Sequence, residues 1–493
     1  MNGLAQFAQV FSTLIFFPLL VRAFGTAEYG VYVIAVSVAS MTQMLDLGVG
    51  ASTVRLVAQR LSSRDVTGFS RVVSSSAMLL ALIGIAVAGL MFAVGYAAGW
   101  LFSVTEEQAV LLQTLLWVGA AMQVWYWPSS VAAHVLHGLE RYDLVARTSV
   151  FSTLANVGSI GLVLYLDAGP VVLMALGALV MVAGSLLNIA TLWAIGPTRR
   201  LVCPPSGVVA QEIIASGMPV FMNSVAQFLN REQVDRIVIG VALGPAVVAI
   251  YDVAAKLSML IGQVAVLPTS AVLPVVARAV ARGDDRALRA LFLRGGRYIT
   301  FAIVPLVVVL AVLAGPFIDV WFGAEFGESI LVAQLLILGQ LLYPPLLMGD
   351  PILTASGRLG SWIPRSYAIA AVNLGLSIAL VRPLGPAGVA CATLLSSLVE
   401  LPLYARLMLR ETGVTLSAWL RFTWAGYLPL PLTGLAAAVM AWLLPPNFMG
   451  IAVSGIVALV LYAVCVWALV LSEGERASFL LRARSLAGRP GPI

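Results

Sequence analysis

The sequence predicts an all-α polytopic membrane protein: about 14 transmembrane helices, arranged as two six-helix lobes related by an axis along the membrane normal, plus two extra C-terminal helices. Three observations predict it. Of 493 residues, 61% are hydrophobic and only 10% charged, and the mean hydropathy is +1.00; a soluble domain is about a quarter charged. The apolar residues fall in runs of roughly 20, the length that crosses a bilayer as a helix. The first half of the chain resembles the second at a nearly constant offset.

The runs are 3–24, 30–54, 73–101, 109–136, 146–166, 171–195, 212–242, 247–273, 298–318, 329–355, 363–381, 386–405, 422–443 and 449–471. Gly169-Pro170, Gly244-Pro245 and Gly385-Pro386 interrupt apolar stretches. They read as tight turns outside the membrane, because proline cannot continue a helix ladder and glycine permits the reversal. The composition excludes a soluble enzyme and a nucleic-acid binder, so the net charge of +6 is read as topology. Cys203, Cys391 and Cys465 are scattered, without metal-ligand spacing.

Basic residues set the direction. Segments after even-numbered spans, with the C-terminal tail, hold 23 of the 28 arginines and lysines. The opposite loops hold one, Arg382, and carry Glu106, Glu107, Asp167, Asp319, Glu325 and Glu328. Both termini are therefore expected in the cytoplasm. The longest connection, near 274–297, is amphipathic and rich in arginine, and is expected to lie along the membrane surface. No cleavable signal peptide is expected, since Met1 leads straight into a span.

The repeat assigns an N-lobe to 1–200, a C-lobe to 201–411, and spans thirteen and fourteen with the tail to 412–493. At an offset of 219, Gly25 matches Gly244, Tyr32 matches Tyr251, Asp65 matches Asp284 and Gly138 matches Gly357. Asn156 and Gly158 match Asn373 and Gly375 at 217. Six spans per copy is an even number, so both copies enter the membrane in the same direction. Transporters with a midplane site use such parallel repeats. The last two spans have few polar residues, which suits a lipid-facing accessory pair.

The seventh span carries the chemistry. Asn223, Gln227, Arg231 and Asp235 recur at spacing four, with Asn230, Glu232 and Arg236 alongside. A charge near the centre of a span costs about 2.5–3.5 kcal/mol, so four facing lipid would cost roughly 10–14 kcal/mol. That rivals the whole stability of a typical protein. These residues must face protein or water. Arg231 with Asp235, and Glu232 with Arg236, are i,i+4 pairs that can partly neutralise each other.

The eighth span adds Asp252 and Lys256, the chain's sole lysine. Polar lines also run along the first span (Asn2, Gln6, Gln9, Thr13, with Arg22 near its outer end) and the second (Ser40, Gln43, Asp46). A symmetric fold would gather these stripes around a central water-filled cavity. Its cations Arg22, Arg231, Arg236 and Lys256 imply an anionic substrate group. Static salt bridges holding the lobes together remain the alternative for the seventh-helix group and for Asp252 with Lys256. Asp46, His134, Asp350 and Glu400 sit toward cytoplasmic ends, where a polar side chain reaches water. Trp125-Tyr126-Trp127 before Pro128 reads as packing beside a proline kink rather than a sugar platform.

The stretch from Pro18 to Tyr32, with Arg22, Phe24, Gly25, Glu28, Tyr29 and Gly30, resembles the opening of the polysaccharide transporter family. So does Val234 to Gly240 with Leu243, Gly244 and Tyr251. That family lies within the multidrug/oligosaccharidyl-lipid/polysaccharide (MOP) flippase superfamily. Relatives usually carry a short basic segment before the first span, where this chain begins inside it. The resemblance implies a flippase of the bacterial cytoplasmic (inner) membrane, moving a polyprenyl-diphosphate-linked oligosaccharide by alternating access. It implies no cofactor beyond H+ or Na+ as coupling ion, and polysaccharide polymerase or export proteins as partners. By position, Arg22, Arg231, Arg236, Lys256, Asn223, Gln227 and Asn230 would bind the head group. Asp235, Glu232 and Asp252 would couple ions.

Other readings predict different features. A drug or cation antiporter of the same superfamily would normally have a net acidic cavity, whereas the seventh-helix charges here cancel. A membrane polymerase or ligase would be expected to place carboxylates in a large outer loop, and every outer loop here is short. A non-transporting scaffold would leave the intramembrane charges without a purpose.

Overall fold

A computed structural model describes residues 2–195, 203–229 and 232–477; in addition, the side chains of 2–14, 226–227, 232, 266–271, 273–274 and 359 are left undescribed. The described chain is helical throughout, as the hydropathy predicts: α1 (Asn2–Thr42), α2 (Val49–Ser62), α3 (Val66–Tyr96), α4 (Ala98–Leu101), α5 (Glu106–Gly138), α6 (Tyr142–Tyr165), α7 (Pro170–Ala194), α8 (Gly207–Leu229), α9 (Glu232–Ala242), α10 (Pro245–Ala281), α11 (Asp285–Trp321), α12 (Gly327–Gly339), α13 (Gly349–Ala355), α14 (Ile363–Thr412), α15 (Leu416–Thr423), α16 (Leu430–Leu443) and α17 (Phe448–Cys465).

Among the described residues, twelve helical stretches are long and apolar enough to cross a membrane. Two of them, Ile15–Ser62 and Ile363–Thr412, hold 48 and 50 residues. At about 1.5 Å per residue each is more than twice the roughly 30 Å of a hydrocarbon core. Each is broken by a glycine, Gly25 (φ 74, ψ 165) in α1 and Gly385 (φ 62, ψ −148) in α14. A side chain resists that backbone, and glycine accepts it. Counting each as two passes raises twelve to fourteen, in line with the apolar runs.

The arginine-rich stretch 274–297 departs from expectation. It is not a surface helix: α10 runs on to Ala281, the chain reverses at 282–284, and α11 starts at Asp285. Gly283 (φ 62) permits the reversal, and the Asp284 side chain accepts a bond from the Ala287 amide at 3.0 Å to start the new helix.

The same turn occurs in the first half, bond for bond. Asp65 caps α3 by accepting from the Gly68 amide at 2.8 Å. The cap dihedrals agree (φ −84, ψ 84 at Asp65; φ −87, ψ 83 at Asp284). Arg64 takes the left-handed conformation of Gly283. The amide of Asp65 donates to Arg60 and that of Asp284 to Ala279, both at 3.0 Å. Every one of these pairs is 219 residues apart. One sequence match shifts. Glu140 (φ 60), rather than Gly138, shares its turn with Gly357 (φ 68), at an offset of 217. The amides of Arg141 and Arg358 close those turns onto Leu136 and Leu353, both at 2.9 Å.

The chain divides into two compact units. The first comprises Met1–Asp252 with Ile363–Val389; the second comprises Val253–Trp362 with Ala390–Ile493. In the first, α3, α5 and α7 pack side by side around Leu80, Leu112, Leu115, Leu116 and Leu136, all fully buried. In the second, α11 is central. Val309 and Leu313 of α11 pack with Ala437 of α16 and Ala458 of α17, small residues that let the helices approach closely. The same two C-terminal helices expose Leu435, Trp442, Ile456 and Val460. A partly packed, partly apolar-exposed pair of helices is what a lipid-facing position requires.

Candidate functional site

The intramembrane charges of the first unit gather where α9, the start of α10 and the second half of α1 meet. The turn between α9 and α10 is short: Leu243, then Gly244 at φ 90, then Pro245 opening α10. Pro suits a first helical position, where its missing N–H has no partner to lose. Arg236 lies eight residues before Gly244 and Asp252 eight residues after it. A hairpin of two helices brings such positions to the same level. The Arg236 guanidinium Nε lies 2.8 Å from Asp252 Oδ1. Asp235 and Tyr251 meet in the same way, Tyr251 Oη donating to Asp235 Oδ2 at 2.6 Å.

The third contribution comes from α1. Tyr29 Oη donates to Asp252 Oδ2 at 2.7 Å, so each oxygen of that carboxylate has its own partner. Gly30 allows this closeness. A Cβ there would stand 1.9 Å from the Pro245 carbonyl oxygen, so α1 and the start of α10 are in backbone contact. Phe17 packs edge-on against Tyr29, ring centroids 5.3 Å apart. The loop at Ser103 holds the end of α9, its amide donating to Gly240 O at 3.2 Å and its hydroxyl to Val241 O at 2.8 Å.

The group is deeply placed: Asp252 is 2% exposed, and Asp235 and Arg236 are each 6% exposed. A buried ion is tolerable only with its partners in place. Each of the two acids accepts a hydroxyl proton from a tyrosine, and the Arg236 charge lies beside Asp252, so neither carboxylate is left without a partner in the low-dielectric interior.

The structure adds a pairing that spacing along one helix did not suggest: Arg236 meets Asp252 across the hairpin, because the Gly244 turn lays α10 against α9. The expected pairs Arg231–Asp235 and Glu232–Arg236 each involve a side chain outside the described ones. Arg231 and Asn230 fall outside the described residues, as do the side chains of Gln227 and Glu232. Asn223 and Lys256 are half-buried and Arg22 is exposed. Sequence reasoning missed Tyr29 as a partner of Asp252 and Tyr251 as a partner of Asp235. A signal existed for the second, since Tyr251 was already marked by its repeat match to Tyr32.

Acid–tyrosine pairing recurs in the second unit. Tyr343 bonds to Glu400, and Tyr404 bonds to Asp350. Asp350 is exposed and Glu400 half-buried, so their carboxylates do more than reach toward water: they tie the 343–350 region to α14. Asp46 in the first unit turns back to accept from the Gly48 amide at 2.8 Å. Of the aromatic run, Trp127 is buried at 4% exposure and Trp125 Nε1 donates to Ser185 Oγ at 2.8 Å, which is packing.

A family model described as polysaccharide biosynthesis protein matches residues 1–280. No curated protein matches the chain in sequence. Solved structures are similar in fold. A structure of the lipid II flippase MurJ in an inward closed conformation superposes with a TM-score of 0.72 at 15% identity, covering 94% of this chain and 97% of that one. An inward-facing structure of a multidrug resistance MATE family transporter of the MOP superfamily gives 0.68 at 19%, covering 83% and 96%. A MOP superfamily transporter from Pyrococcus furiosus gives 0.53 at 20%, covering 84% and 93%. At these identities the likeness establishes the fold.

Proposed function

The chain belongs to the polysaccharide biosynthesis protein family, and from that premise we propose that it is a flippase for a polyprenyl-diphosphate-linked oligosaccharide, working by alternating access in a bacterial cytoplasmic membrane. The observation that carries the proposal is the match over residues 1–280, because that stretch contains the whole buried charged group of α1, α9 and α10. The arginine bias supports cytoplasmic termini in this reading. The cargo's polar head must cross about 30 Å of hydrocarbon, and polar helix faces replace the water it leaves behind.

In this reading Arg22, Arg231 and Lys256 meet the diphosphate, with Asn223, Gln227 and Asn230 along the path. Arg236 reaches the head group only in a state where its pair with Asp252 has opened. Asp252, Asp235 and Glu232 then carry the coupling charge, H+ or Na+, since releasing Arg236 leaves Asp252 needing a new counter-charge. The two steps are linked by one ion pair, which is how cargo binding and ion binding can exclude or require each other. Polymerase and export proteins would act on the delivered glycan.

The test is reconstitution. Proteoliposomes carrying the protein and a fluorescent polyprenyl-diphosphate oligosaccharide should show protein-dependent loss of outer-leaflet label. Arg231→Ala and Arg236→Ala should both abolish it, with the amount of inserted, folded protein measured for each because Arg236→Ala also strands Asp252; unimpaired transport by both variants overturns the assignment. The likeness to the multidrug transporter fold favours one competing reading, a drug or cation antiporter. Extrusion of a fluorescent cation from the same vesicles, with no lipid movement, would establish that reading instead.

A further inference from the structure

The second unit holds a group of arginines that the transport reading does not use. They surround a cavity of about 500 Å³ where α10 ends and α11 begins. Arg278 and Arg282 rise from the last turns of α10, and Arg294 faces them from α11. Val275, Leu291 and Met348 form apolar wall beside them.

Neighbouring arginines are committed. Arg289 Nε donates to the Thr412 carbonyl at 2.9 Å. Arg297 donates to the Val470 carbonyl at 2.9 Å, lies 3.4 Å from Glu475, and covers the Phe422 ring at 4.4 Å. Arg278, Arg282 and Arg294 make no ion pair among the described residues. The nearby acid on the cavity wall, Asp284, is engaged as the cap of α11. Arg278 and Arg282 are also four apart on one helix, a like-charge spacing that is unfavourable without a counter-ion. Three cations therefore share a cavity wall with one acid, Asp284, which leaves an excess of positive charge among the described lining residues.

The apolar wall decides what kind of anion fits. A small soluble anion would gain nothing from Val275, Leu291 and Met348. A lipid satisfies both halves, phosphate to the guanidiniums and acyl chain to the wall. Arg294 and Tyr298 also line a second cavity of about 1190 Å³, whose wall includes Phe301, Phe422 and Leu469 together with Arg297 and Glu475. Its aromatic part offers further apolar surface beside Arg294.

We propose that this cavity is a binding site for an anionic phospholipid of the cytoplasmic leaflet, held through its phosphate by Arg278, Arg282 and Arg294. The choice of leaflet rests on the orientation given under Proposed function; the binding chemistry does not. The site pins the α10–α11 hairpin to the membrane surface and makes its position sensitive to the charge of that leaflet.

The experiment uses the full-length protein in nanodiscs with a photoactivatable phosphatidylglycerol, mapping adducts by mass spectrometry. Adducts should fall within 272–298. Unlabelled phosphatidylglycerol should suppress them and phosphatidylcholine should not. The triple variant Arg278→Gln/Arg282→Gln/Arg294→Gln should lose labelling by at least about ten-fold, while the triple Arg→Lys variant keeps most of it. Equal competition by phosphatidylcholine overturns the proposal, because the cavity would then not select a net anionic headgroup. Stronger competition by undecaprenyl phosphate also overturns it, assigning the cavity to the carrier lipid. So does full labelling of the glutamine variant. If that variant does not fold, the competition arms on the unmodified protein decide. No arm measures transport, so a failed flippase assay and a failed lipid site remain separate results.

Discussion

Arg236 and Asp252 stand at equal distances in sequence on either side of Gly244 and meet at 2.8 Å inside the membrane domain. Neither residue is more than 6% exposed. Removing one member strands the other. Asp252→Ala and Arg236→Ala should each destabilise the protein by about 3–5 kcal/mol. The double variant should recover a large part of that loss, since no orphan charge remains. Thermal unfolding of the four proteins in one detergent, read as a double-mutant cycle, checks this. Strict additivity of the two single losses would show that the pair does not act as a unit.

Gly30 makes a separate prediction about the same cluster. A methyl group there would lie 1.9 Å from the Pro245 carbonyl oxygen, and neither backbone can yield without moving a helix. Gly30→Ala should push α1 off α10, break the Tyr29–Asp252 bond, and lower stability by more than 2 kcal/mol, roughly the scale of overpacked cores. Gly161→Ala, where the new methyl meets nothing within 4 Å, is the control and should be neutral or slightly stabilising. Equal melting temperatures for the two variants would refute the close approach.

The membrane passes were legible in the sequence because lipid imposes a simple rule: about 20 apolar residues, no exposed backbone. The breaks at Gly244 and Gly385 were legible for a related reason, since few residues other than glycine accept a positive φ; at Gly169-Pro170 the glycine is extended (φ −78) and Asp167 (φ 49) takes the positive φ instead. The stretch 274–297 was not. Its arginines give it the look of a surface helix, and only the Gly283–Asp284 turn, which carries little hydrophobic signal, folds it into a hairpin. Charge partners were half legible. Spacing along one helix suggested Glu232 for Arg236 and gave no hint of Asp252, which meets Arg236 across a turn. Tyr29 escaped notice because a tyrosine in an apolar run looks like core until its hydroxyl is seen to have an acceptor.

The repeated turn predicts a repeated energy. Asp65 and Asp284 cap their helices with matching dihedrals and bonds of 2.8 and 3.0 Å. Asp65→Ala and Asp284→Ala should each remove about 1 kcal/mol, the usual value of an N-cap. Asp65→Ser and Asp284→Ser should restore most of it. The Asp65 substitution should be somewhat the more harmful, because that carboxylate also lies 3.6 Å from Arg60; the pair is partly exposed, so solvent screening keeps the excess small. Denaturation midpoints measured side by side check the ordering.

Arg22 and Lys256 separate binding from folding. Arg22 is exposed and Lys256 half-buried, whereas Arg236 is enclosed. If Arg22 and Lys256 meet a diphosphate, Arg22→Gln and Lys256→Gln should weaken cargo binding by about ten-fold each, the usual worth of one charge-assisted contact. Melting temperature should change far less than in the Arg236→Ala variant. The loss should also shrink as ionic strength rises, because salt screens the attraction that the substitution removes. Titration of each protein with a soluble-tailed polyprenyl-diphosphate sugar at low and high salt reads all three effects. A variant that melts early yet binds with unchanged affinity would move that residue from the cargo path to the scaffold.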